Sequence, residues 1–213
     1  MTFPRLYAIL DVDLLNARSL DLARFASELH AAGVKLIQYR NKHGSARVMM
    51  NDATRLKNLS AGHAAKLIMN DRADLALLSG FDGVHVGQED LAAEDARNIV
   101  GPNAWVGVST HFPQQVAEAD ETPCDYIAYG PVFPTATKEN PDPVVGLAGL
   151  RMARTLTQKP LVAIGGITLE NCHSVLNAGA DSVAVISGLL PNGSDPGSKN
   201  TRQIAEEFLS LLD

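Results

Sequence analysis

Only two cysteines, Cys124 and Cys172, occur in 213 residues, and they form no CxxC pair. That excludes a disulfide framework and leaves no thiolate zinc site; a reduced cytosolic setting fits. Positive charge is also scarce. Lys and Arg number 18 against 24 Asp and Glu, giving a formal net charge of −6 and a pI near 5.5. Nucleic-acid binding needs a basic face, so no nucleic-acid partner is expected. A local basic site for a phosphorylated small molecule is still allowed. No run approaches the ~18 apolar residues of a membrane span, so no membrane contact is expected either. The opening "MTFPRLYAILDVD" carries acidic residues where a signal peptide needs an apolar core. A cytoplasmic location is therefore expected, and Asn192-Gly193-Ser194 reads as a chance sequon. Linkers, sequence repeats and low-complexity tracts are lacking too, so residues 1–213 are expected to form one domain.

What the chain does have is apolar residues, 46% of the total, enough for a substantial core. They gather in eight short β-branched runs, at 6–10, 34–40, 66–70, 83–87, 105–109, 126–130, 161–166 and 182–187. Most are continuous rather than alternating, as strands buried on both faces are. Helical patterns lie between them. Leu22, Phe25, Ala26 and Leu29 share a face, with Ser19 as expected cap and Gly33 as expected stop. Leu169, Cys172 and Leu176 share another, behind Thr168 as expected N-cap and before Gly179. Ile204, Phe208 and Leu211 mark the last helix, and short helices are expected near 90–100 and 113–120. Strands alternating with helices imply parallel pairing through crossovers. Eight such units close into an α/β fold of the (β/α)8 barrel type. An open doubly wound sheet would show a Gly-rich phosphate turn after an early strand, and none follows the first three. The Pro/Gly/Ser-rich stretch 189–200 reads as a surface loop or a lid.

Barrel active sites sit at the C-terminal ends of the strands. Strand two ends in "QYRNK", where Gln38, Arg40 and Lys42 point the same way in extended chain. Arg40 inside an apolar strand demands an anion, either a substrate diphosphate or a carboxylate of another strand. Strand three ends in Asn70-Asp71 and strand four in "HVGQED", with Asp90. Each alone suits helix capping. Together, on neighbouring strands, Asp71 and Asp90 suit a hard cation shared with a diphosphate. Ser109 and His111 end strand five as candidate donors; His111 reads more simply as a helix-start or surface residue, and His85 as a satisfied core histidine. Gly165-Gly166 and Ser187-Gly188 end strands seven and eight, where barrels often bind phosphate through backbone N–H groups. Two anionic pockets are thus expected. "GPVFPTATK" (130–138) leaves strand six between them, stiffened by two prolines.

The combination "QYRNK", "NDRADLA…DGVHVGQED", "GVST", "DYIAYGPVFPTATK", "VAIGGI" and "GADSVAVISGL" resembles the thiamine-phosphate synthase family over about residues 34–190. The resemblance implies a (β/α)8 barrel that joins hydroxymethylpyrimidine diphosphate to hydroxyethylthiazole phosphate, releasing pyrophosphate with Mg2+ present. It implies that Gln38, Arg40, Lys42 and Asn70 hold the pyrimidine diphosphate, that Asp71 and Asp90 bind Mg2+, and that Ser109 and Lys138 contact the diphosphate substrate. Thr135 and Thr137 would bind the thiazole phosphate, with Gly166, Ile186 and Ser187 at its phosphate. Charge stabilisation by Arg40, Lys42, Ser109 and Lys138 would carry catalysis. Assembly into a homo-oligomer is left open. Two other readings compete: a thiazole tautomerase-like isomerase of the same fold, which has no use for the diphosphate set, and a non-catalytic phosphate-binding barrel.

Overall fold

The computed structural model describes residues 3–135, 142–191 and 198–213. Eight parallel strands close into a barrel in sequence order. They are β1 (Leu6–Asp11), β2 (Leu36–Arg40), β3 (Lys66–Asn70), β4 (Gly83–Val86), β5 (Trp105–Thr110), β6 (Tyr126–Tyr129), β7 (Leu161–Ala163) and β8 (Ser182–Val185). Tyr7 pairs with Leu36 on one side and Ala184 on the other, and that second ladder closes the ring. The helices are α1 (Val12–Ala17), α2 (Leu22–Ala32), α3 (Ala46–Leu59), α4 (Ala73–Ser79), α5 (Ala93–Val100), α6 (Pro113–Asp120), α7 (Gly146–Thr155), α8 (Cys172–Asn177) and α9 (Thr201–Leu212). The eight expected strands are all present, with ends shifted by at most three residues.

Helix starts differ from expectation at two places. Ser19 does not cap α2; it sits at φ 54° in the preceding turn, and Asp21 accepts from the Arg24 N–H at 2.8 Å instead. Asn171, not Thr168, stands at the N-cap of α8, and its Oδ1 accepts from the Thr168 N–H at 2.8 Å. Gly33 stops α2 as expected, at φ 88°, where a side chain would be strained. On α9 the inward stripe is Ile204, Ala205, Phe208 and Leu212, while Leu211 is exposed. From Phe208 the fourth residue on, not the third, stays over the barrel.

Alternation along each strand separates two cores. Leu6, Ala8 and Leu10 face outward, against a layer that includes Phe25, Leu29 and Phe208 of the helices. Tyr7 faces inward with Leu36, Ile68, Tyr126 and Val162, packed on Ile9, Trp105 and Ile164. Burying each large apolar side chain is worth about 1.5–3 kcal/mol, so both layers stabilise the closed ring. Phe3 stacks on Trp105 at 5.2 Å and plugs the N-terminal end of the barrel. Chemistry is therefore left to the other end.

Candidate active site

A cavity opens at the C-terminal ends of the strands. Gln38, Arg40 and Asn70 line one wall; Gly165, Gly166, Ile167, Ile186 and Ser187 line the opposite one. Ser109 and Thr135 also line it, and Ile9, Ala128, Ile164 and Ala184 supply apolar surface between them. The ends of β2 and β3 thus face the ends of β7 and β8 across one cavity.

Arg40 meets the carboxylate of Asp11, which ends β1 directly beside it in the sheet register. The Asp11 side chain is 2% exposed and that of Arg40 16%. The partner that Arg40 required is therefore a carboxylate of the neighbouring strand, and the guanidinium still faces the cavity. Asp11 also accepts from the Leu14 N–H at 3.0 Å and so starts α1. The expectations from sequence did not name Asp11. The apolar run before it, ending in an acid, was the available signal.

Lys42, Asp71 and Asp90 gather beside this wall, outside the cavity lining. The Lys42 ammonium lies 2.5 Å from the Asp71 carboxylate. Burial pushes the Asp71 carboxyl up; the neighbouring Asp90 adds to this and the Lys42 ammonium opposes it. Asp71 stands at φ 62°, a left-handed conformation that Asp tolerates better than most residues. Its N–H is tied to the His85 carbonyl at 2.8 Å. Asp90 accepts from the Gly87 N–H at 2.8 Å, so both carboxylates are anchored. Among the described residues no cluster of three or more His, Cys, Asp or Glu could enclose a metal. Two adjacent carboxylates nevertheless fit a hard divalent cation that completes its shell with substrate oxygens and water.

The exit of β6 is docked along the end of β7. Val132 N–H donates to the Ile164 carbonyl at 2.8 Å and Phe133 N–H to that of Gly165 at 3.2 Å. A Cβ on Gly166 would come within 2.5 Å of the Pro134 carbonyl oxygen, and Gly166 has φ 65°. Close approach and backbone angle both require glycine there. Thr135 reaches the cavity; Thr137, Lys138 and the middle of the 189–200 stretch lie outside the described residues.

Two histidines, His85 and His111, also line the cavity. His85 is buried, as expected, yet it lines the cavity, with Nδ1 3.1 Å from the Tyr126 hydroxyl and Nε2 2.8 Å from Ser109 Oγ. His111 stands at a helix start, as expected, just before α6 with its N–H donating to Gln115 Oε1 at 2.7 Å, but it is not a surface residue: its side chain is 10% exposed. Its Nδ1–H donates to the Gly130 carbonyl at 2.6 Å, and Nε2 lies 3.4 Å from Asp142.

A closed (β/α)8 barrel with its cavity at the C-terminal strand ends, Arg40 on one wall and glycines on the other, has the architecture of a barrel enzyme. The sequence profile described as thiamine monophosphate synthase matches residues 6–189, and the chain belongs to that family. A thiamine-phosphate synthase of Koribacter versatilis is 55% identical, over all of this chain and 97% of the relative. One from Caldicellulosiruptor saccharolyticus is 42% identical over 81% of this chain and 77% of its own length. Among solved structures, a thiamine phosphate pyrophosphorylase from Pyrococcus furiosus superposes with a TM-score of 0.84 at 33% identity, covering 98% of this chain and 95% of that one.

Proposed function

We propose that this chain is a thiamine-phosphate synthase: a transferase that joins 4-amino-2-methyl-5-hydroxymethylpyrimidine diphosphate to 4-methyl-5-(2-hydroxyethyl)thiazole phosphate. Thiamine phosphate forms and pyrophosphate leaves. The observation that carries this reading is the single cavity with unlike walls. A substrate with a diphosphate suits the Gln38, Arg40, Lys42 and Asn70 side, and a monophosphate suits the Gly166, Ile186 and Ser187 side. The two organic parts then meet between them, over Ile9, Ala128 and Ile164.

The bond from the pyrimidine methylene to the diphosphate oxygen breaks first, and its electron pair goes to the leaving pyrophosphate. The thiazole nitrogen then gives its lone pair to the pyrimidine-methyl cation. No proton has to move in either step, so the chain needs charge stabilisation rather than an acid or a base. Arg40, Lys42, Ser109 and Lys138 would stabilise the charge that develops on the leaving oxygens. Mg2+, held by Asp71 and Asp90, would neutralise further charge on the diphosphate. Apolar side chains along the cavity keep water from the cation. Thr135 and Thr137 would bind the thiazole phosphate.

Purified protein with both substrates and Mg2+ should release thiamine phosphate and pyrophosphate in equal amounts. Binding of both substrates with no product above background would refute the reading. Neither a tautomerase nor a binding barrel would release pyrophosphate.

A further inference from the structure

Three buried side chains, Tyr7, Tyr126 and His85, have no part in the chemistry above, yet they join two residues that do. Gln38 Nε2 donates to the Tyr7 hydroxyl at 2.7 Å. The Tyr7 and Tyr126 hydroxyls are 2.9 Å apart, although the residues are separated by 119 positions. Tyr126 then meets His85 Nδ1 at 3.1 Å, and His85 Nε2 meets Ser109 Oγ at 2.8 Å. The chain of contacts crosses the cavity floor from β2 through β1, β6 and β4 to β5.

Both phenols are fully enclosed, and burial is the main cause that raises them far above the usual tyrosine range. Each therefore keeps one hydrogen to give. At the Gln38 end the amide nitrogen can only donate. Tyr7, having accepted from it, gives its hydrogen to Tyr126, and Tyr126 gives its own to His85 Nδ1. If Tyr126 donated to Tyr7 instead, the Tyr7 hydrogen would be buried without one of these acceptors, which is costly. Neutral imidazole has one donor and one acceptor. With Nδ1 accepting, the proton sits on Nε2 and is donated to Ser109 Oγ. The Ser109 hydroxyl hydrogen is then left over for the cavity. The backbone makes room for this arrangement: a Cβ on Gly107 would overlap the Tyr126 hydroxyl and stand 2.5 Å from His85 Nδ1.

We infer that Tyr7, Tyr126 and His85 are positioning residues, a one-way hydrogen-bond relay that holds Ser109 as a hydroxyl donor toward an anionic substrate oxygen. The inference rests on the proposed contact of Ser109 with the diphosphate. It adds that this contact is set from the far side of the barrel. Reversal of the chain would make Ser109 spend its hydrogen on His85 and face the substrate with lone pairs only, the wrong polarity for a diphosphate.

The test begins with wild-type protein labelled with 15N-histidine. A two-bond proton–nitrogen spectrum, with the His85 signals assigned by their loss in His85→Gln, should show Nε2 protonated and Nδ1 bare. Nδ1–H in the resting protein overturns the relay. Tyr126→Phe removes the hydroxyl and little else. It should lower kcat/KM for the pyrimidine diphosphate by roughly tenfold, leave KM for thiazole phosphate unchanged, and mix the His85 tautomers. Combined with Ser109→Ala it should cost no more than Ser109→Ala alone, because both act at one hydroxyl. Fully additive losses would overturn the relay. Should Tyr126→Phe fail to fold, the wild-type spectrum still decides. Should wild-type protein make no thiamine phosphate, the proposed function falls, and the spectrum tests the relay on its own.

Discussion

Replacing Asp11 tests how Arg40 is held in the cavity wall. Its carboxylate has two tasks: one oxygen accepts from Leu14 N–H at the start of α1, and the other meets Arg40. Asp11→Asn keeps the cap, since Asn caps as well as Asp. With its oxygen committed to Leu14, the new amide must turn its NH2 group toward the Arg40 guanidinium, donor against donor. Removing one partner of a buried pair costs about 3–5 kcal/mol. Arg40 lines a cavity and keeps 16% of its side-chain surface. Water can therefore rehydrate it in part, and about 2–3 kcal/mol is expected, near the range for hydrogen bonds to charged groups. With a urea dependence of about 2–3 kcal/mol per molar, the unfolding midpoint should fall by roughly 1 M. Asp11→Ala loses the cap as well and should cost about 1 kcal/mol more. Asp11→Leu with Arg40→Met leaves no orphan charge and should be more stable than Asp11→Asn. A loss under about 0.5 kcal/mol for Asp11→Asn would refute the reasoning, because only a freely solvated Arg40 would tolerate the change so cheaply.

Three further outcomes are expected. Asp71→Ala should reduce metal-dependent turnover by roughly 100-fold or more while changing thiazole phosphate affinity less than about twofold, measured by calorimetry. Equal loss of both would mean the two walls do not act separately. Gly166→Ala should raise KM for thiazole phosphate at least about tenfold, since Cβ meets the Pro134 carbonyl. Gly62→Ala, at φ 84° with nothing within 4 Å, pays only the backbone strain and should leave KM alone. His30 carries the only buried side-chain polar atom without a partner among the described residues, Nδ1. Burial lowers its pKa, with a smaller contribution from the stacked His63. A lowered histidine binds fewer protons folded than unfolded, so stability should fall as pH drops through the unfolded value near 6.5. Urea midpoints from pH 7 to 5 should fall more steeply for wild type than for His30→Gln; parallel slopes would remove His30 as the cause.

The barrel was legible because strands buried on both faces read as unbroken apolar runs, and the runs at 66–70 and 83–87 became β3 and β4 almost residue for residue. Residues at the strand ends were legible for a related reason: a (β/α)8 barrel carries its cavity at the C-terminal ends of the strands, so the side chains standing there are the ones to inspect. Gln38, Arg40, Asn70, Ser109 and Gly166 all line the cavity. Caps were read less well. Ser19 and Asp21 are equally good by residue type, and only the path of the turn decides between them; Asn171 is the better cap by type than Thr168 and takes the position. Asp11 was not legible because its pairing with Arg40 depends on the β1–β2 register, which neither strand's own sequence specifies.

Tyr7 and Tyr126 show a different limit. In "LYAIL" and "YIAY" each counts as one more large residue in a buried run. Their hydroxyls acquire meaning only when the ring closes and Tyr7 of β1 and Tyr126 of β6 reach inward until the two hydroxyls lie 2.9 Å apart at the centre. Local pattern cannot encode a contact across 119 residues; closure creates it. The interior of a parallel barrel is filled from alternate positions of every strand. The same side chains must therefore seal the core below and set donors and acceptors above. Leu36, Ile68 and Val162 do only the first, while Gln38, His85 and Ser109, farther along β2, β4 and β5, carry the second. The two tyrosines sit between these layers, ring in the apolar core and hydroxyl in the polar chain. A phenylalanine at either position would fill the core as well, so the presence of the hydroxyls argues for a use at the cavity rather than for stability.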